Sequence, residues 1–108
     1  MSDSIRRGAN GDQGERVVVI RNKYGLHARP AAEFVKLSSR FTAKITVEKE
    51  GLEVNGKSIM GVMMLAAECG STLKIRAVGD DAGAALDALA ALVSDRFGET
   101  EADYELEN

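Results

Sequence analysis

One cysteine, Cys69, among 108 residues excludes an internal disulfide, and one histidine beside it leaves too few ligands for a structural zinc site. The thiol is expected as a small buried apolar residue rather than a redox or nucleophilic group. No apolar run approaches the ~20 residues of a membrane span, which argues against direct membrane insertion. The N-terminus lacks the hydrophobic core of a signal peptide, so the expected location is cytoplasmic. A basic excess is missing too. Fourteen Lys and Arg against seventeen Asp and Glu leave a net charge of −3, and nucleic acid is not an expected partner. No serine–histidine–aspartate set and no metal cluster point to hydrolysis, and no cofactor or metal is implied. A hydrophobic content of 44% and a charged content of 29% fit one soluble globular domain with a modest core.

The chain divides into three parts. Residues 1–15 are polar and poor in apolar side chains and read as a flexible N-terminal extension. Residues 16–97 form the folded body. Residues 98–108 carry Glu99, Glu101, Asp103, Glu105 and Glu107 with no basic residue, and read as a solvated acidic C-terminal tail. Within the body, Val17 to Ile20 predict a strand, and Gly25 closes the loop after it. A helix is predicted from about Ala28 to Arg40, with Pro30 tolerated in its first turn and Ala31, Phe34, Val35 and Ser38 facing inward. Ala43, Ile45 and Val47 alternate with polar residues in a second strand, and Leu52 and Val54 lie in a third. Ser58 is a candidate cap for a helix from Ile59 to about Ala67, which Gly70 would end. Leu73, Ile75 and Ala77 mark a fourth strand. A last helix runs from about Ala82 to Phe97 on an apolar stripe that includes Ala85, Leu86, Leu89 and Val93. The order β-α-β-β-α-β-α predicts an α+β fold, with helices on one face of a mainly antiparallel sheet.

The chemistry concentrates at Gly25-Leu26-His27-Ala28-Arg29-Pro30. A lone histidine is commonly an exposed or satisfied polar side chain. This one stands at a predicted helix start, where N–H groups and the helix dipole attract anions. Arg29 adds a planar cationic fork that matches phosphate oxygens. Neutral imidazole is a nucleophile, so the set suits a histidine that takes a phosphoryl group and gives it up again.

Tyr24 to Ala32 resembles the active-site motif of the histidine-containing phosphocarrier protein (HPr) family of the phosphoenolpyruvate-dependent sugar phosphotransferase system. Asn55 to Met63 resembles that family's regulatory serine segment. The likeness spans roughly Arg16 to Phe97, and two separated motifs in order are more specific than either alone. It implies an open-faced sandwich, three helices over a four-stranded antiparallel sheet in spatial order 1-4-2-3. It implies that His27 accepts a phosphoryl group on Nδ1 from enzyme I and passes it to IIA domains of sugar permeases. Arg29 and the backbone N–H of Ala28 would contact the phosphoryl oxygens. Such a protein is a stoichiometric carrier and not an enzyme.

Ser58 has a structural reading, the helix cap, and a functional one, phosphorylation by an HPr kinase/phosphorylase, which the resemblance implies. The run Ile59 to Leu65 is too apolar to point inward throughout. Met60 and Met63 are candidates for an adaptable partner-binding patch. Two other readings stand beside the carrier. One is a regulatory HPr-like protein that uses His27 in nitrogen or carbon control without sugar transport. The other is a binding module whose Ser58 phosphorylation acts on a transcriptional regulator, with His27 vestigial. The intact His27–Arg29–Pro30 motif argues against the last.

Overall fold

The computed structural model of the chain describes residues 4–8 and 11–100, with side chains from residue 12 to residue 100. Residues 1–3, 9–10 and 101–108, parts of the expected extension and tail, lie outside the described residues. The elements run β1 (Ser4–Gly8), β2 (Gly11–Val19), α1 (Ala28–Ser38), β3 (Lys44–Lys49), β4 (Leu52–Asn55), α2 (Ile59–Met64), β5 (Thr72–Val78) and α3 (Ala82–Ser94), followed by a 3-10 turn at Arg96–Gly98.

All strands pair antiparallel in one sheet of order β1-β2-β5-β3-β4. The four strands β2-β5-β3-β4 have the expected 1-4-2-3 arrangement. What differs is the added edge. Ser4–Gly8 and Gly11–Glu15, expected in a flexible extension, are strand, with Ser4 opposite Glu15 and Gly8 opposite Gly11. The edge of β2 offers backbone N–H and C=O groups, and a neighbouring segment can satisfy them without burying any apolar side chain. Composition therefore misses such a strand.

The sheet is half-buried by alternation. In β5, Leu73, Ile75 and Ala77 are buried, while Lys74 and Arg76 are half-buried and Thr72 and Val78 exposed. The same period of two places Val18, Ile45 and Val47 in the core. The helices supply the other wall with Ala31 and Phe34 of α1, Val62 of α2, and Ala85, Leu86, Leu89 and Val93 of α3. The open face carries an ion pair from Arg76 to Glu48 at 3.2 Å and to Glu53 at 2.8 Å, across three strands.

Two local expectations need correction. The helix α2 ends at Met64, and the chain leaves it through Ala66 at a φ of 48°, so Gly70 at a φ of 94° belongs to the following turn rather than to the helix end. Cys69 is exposed, because it lies in that turn outside the sheet, with its thiol 3.8 Å from the carbonyl of Arg21. Asp81 starts α3 but does not cap it. Its carboxylate instead accepts the N–H groups of Thr42 and Ala43, each at 2.8 Å, and ties the entrance of β3 to the start of α3. The backbone donor of Thr42, the largest influence, and that of Ala43 hold its carboxyl below the usual carboxylate range.

Candidate active site

The loop after β2 sets the site. Gly25 has a φ of 69°, and a Cβ placed there would lie 2.2 Å from the carbonyl oxygen of Ala67. That close approach lets the N–H of Leu26 donate to the same oxygen at 2.8 Å, which pins the loop to the segment after α2. Leu26 is buried and acts as the anchor. The next residue, His27, occupies the N-cap position of α1 in extended backbone, and its side chain makes no cap hydrogen bond to that helix. Its carbonyl takes the N–H of Ala31 at 3.0 Å, which begins the helical ladder. Pro30 brings no N–H, so Ala28 and Arg29 supply the first donors of the helix, those without an intrahelical partner.

The His27 side chain is 27% exposed. Its ring meets that of Tyr24 edge to face, with centroids 6.4 Å apart at 82°, and the ammonium of Lys23 stands 5.3 Å from the Tyr24 ring. Ala28 and Arg29 are exposed in the first turn of α1. The positive end of α1 beside a half-open imidazole, with Arg29 exposed in the same turn, forms a surface suited to a dianion.

The sequence reading missed Glu99. It was expected in a solvated acidic tail, but its side chain is 2% exposed and lies behind the histidine, with Oε2 3.0 Å from Nε2 of His27. Its other oxygen, Oε1, accepts from Nδ2 of Asn22 at 3.1 Å. Asn22 is itself fully buried and also donates to the carbonyl of Gly25 at 2.7 Å. The chain reaches this position through three successive left-handed residues, Arg96 and Phe97 at a φ of 57° and Gly98 at 77°. The buried ring of Phe97 holds a conformation that an aromatic residue rarely adopts. Glu99, directly after this turn, is buried. An apolar anchor and a glycine directly before an acidic residue are the sequence signal that could have separated Glu99 from its acidic neighbours.

The other predicted residues lie on α2. Ser58 is the N-cap, and its Oγ accepts the N–H of Gly61 at 3.0 Å. Met60 is 77% exposed and Met63 is 41% exposed, with Ile59 and Met64 exposed beside them. α2 therefore presents an apolar surface, while Val62 points into the core. Among the described residues no group of three His, Cys, Asp or Glu side chains could hold a metal ion, and no helix is long and apolar enough to cross a membrane.

Known proteins bear closely on this arrangement. A family model for the PTS HPr component phosphorylation site matches residues 14–95. The chain is 47% identical over 87 residues to the phosphocarrier protein HPr of Cupriavidus necator, an alignment covering 81% of this chain and 98% of that one. It is also 47% identical over 81 residues to the HPr-like protein Crh of Bacillus subtilis, covering 75% and 95%. Among solved structures, an HPr from Thermoanaerobacter tengcongensis superposes with a TM-score of 0.77 at 49% identity, over 80% of this chain and 97% of that one. The HPr of Bacillus anthracis gives a TM-score of 0.73 at 51% identity, over 75% and 96%.

Proposed function

The chain belongs to the HPr family of phosphocarrier proteins, and on that footing we propose that His27 accepts a phosphoryl group from phosphorylated enzyme I and delivers it to IIA domains of sugar permeases. The observation that carries the reading is the position of the ring. It stands half-open at the N-cap of α1, with a carboxylate against one nitrogen, and Ala28 and Arg29 follow it in the exposed first turn. In the transfer step the lone pair of Nδ1 attacks phosphorus as the bond from phosphorus to the donor breaks, and that electron pair returns to the donor. The His27 ring then carries a proton on Nε2 and a positive charge, which the Glu99 carboxylate balances. Arg29 and the N–H groups of Ala28 and Arg29 hold the phosphoryl oxygens. Reversal against a IIA domain empties the ring, so the protein is regenerated and acts as a carrier in the cytoplasm. Ser58, at the head of α2, is the site for a regulatory kinase, and Met60 and Met63 form part of the docking surface.

The test is incubation with phosphoenolpyruvate and enzyme I. One phosphoryl group should be added, labile in acid and stable in alkali, and it should be absent in His27→Ala. Equal labelling of that variant would remove the assignment. Similarity to Crh, the catabolite repression HPr of Bacillus subtilis, favours a second reading, a regulatory protein that does not feed a permease. Loaded protein that transfers to no IIA domain would select it. Modification of Ser58 is checked with ATP and an HPr kinase, against Ser58→Ala.

A further inference from the structure

Asn22 is buried, and both atoms it touches are acceptors: the carbonyl of Gly25 at 2.7 Å and Oε1 of Glu99 at 3.1 Å. Its amide must present the two N–H bonds of Nδ2 to them, because the oxygen has nothing to offer either. Its Oδ1 is buried with no hydrogen-bond partner among the described residues. A buried polar atom left unsatisfied lowers stability, so the residue is not explained by satisfying itself. Its donors are spent on the histidine loop and on the carboxylate behind the histidine.

We propose that Asn22 and Glu99 form a fixed amide–carboxylate pair that sets the tautomer of His27, with the proton on Nε2 and the nucleophilic lone pair on Nδ1. This rests on the carrier reading above for its consequence, but not for its geometry. The donor from Asn22 engages Oε1 and so turns Oε2 toward the ring. A carboxylate only accepts, and Nε2 must donate to it. Glu99 touches the reacting ring, whereas Asn22 is a positioning residue that acts through Glu99.

The pair makes a prediction that simple charge removal does not. In Glu99→Gln, Asn22 still demands an acceptor and turns the new amide oxygen toward itself. The amide NH2 then faces Nε2, which must accept, and the ring proton moves to Nδ1. His27 is the only histidine in the chain, so long-range proton–nitrogen spectra of its ring are unambiguous. In the neutral ring, wild type should show the Nε2–H form and Glu99→Gln mainly the Nδ1–H form. Transfer from phosphorylated enzyme I should fall about tenfold or more, since the nucleophilic atom is blocked by a proton. In Asn22→Ala/Glu99→Gln the new amide is free to rotate, and both tautomers and part of the rate should return. If the double variant does not fold, Asn22→Ser/Glu99→Gln replaces it, with a hydroxyl to serve Gly25. A Glu99→Gln ring that keeps Nε2–H, or a folded double variant identical to the single one, overturns the proposal. Wild type that takes no phosphoryl group overturns the carrier reading instead and leaves the tautomer pattern standing.

Discussion

Gly25 decides where His27 stands. Its left-handed backbone and the 2.2 Å that would separate a Cβ from the carbonyl of Ala67 leave no room for a side chain. Gly25→Ala should destabilise the protein by about 2–4 kcal/mol, read by urea unfolding, and should slow phosphoryl transfer further because the loop shifts. Its neighbours show what a sequence displays at this scale. His27 and Arg29 are legible because consecutive residues, a helix start and a proline announce them together. Asn22 and Glu99 are not, because their roles come from meeting each other across 77 positions. Asn22 reads as an ordinary loop residue, and Glu99 is one of five acidic residues in the last eleven. Cys69 fails for a different reason: its type favours burial, but its place in a turn overrides that.

Elements were more legible than residues. The periods of two and 3.6 located β3, β4, β5, α1 and α3, since each must bury one side on a common core, while β2 was legible from its β-branched run and α2 from its cap. The strand β1 escaped because backbone pairing alone builds it. Caps were partly visible. Ser58 caps α2 as its position suggested, and Ser58→Ala should lose about 1 kcal/mol in thermal or urea unfolding. Asp81, at the N-cap of α3, is a staple between segments instead of a side-chain cap. Its carboxyl is held below the usual range, so its contribution is present above the unfolded value of 3.8 and fades as pH falls through the lowered folded one. Asp81→Asn should therefore be less stable than wild type at about pH 7, and the gap should narrow at about pH 3 when both are unfolded in urea. A gap that widens in acid would contradict the staple.

At the scale of the whole molecule, one sheet with one covered face places α1 and α2 side by side, so the His27 ring and the exposed methionines belong to the helical side of the protein. Their exposure separates docking from folding. Met60→Glu/Met63→Glu should change stability by no more than about 0.5 kcal/mol. It should raise the KM for transfer from enzyme I about tenfold, measured by steady-state transfer. An unchanged KM would take the two side chains out of the interface. The proposed reactive centre also joins residues 22 and 99, 77 positions apart. On the ribosome the His27 ring emerges 72 residues before the carboxylate that faces it. A product cut short at Gly98 would keep Phe97 and the rest of the core, yet its imidazole would stand without the anion behind it. Translation through codon 99 is thus what completes the centre, and inspection of the core alone would not reveal a chain that stops before it.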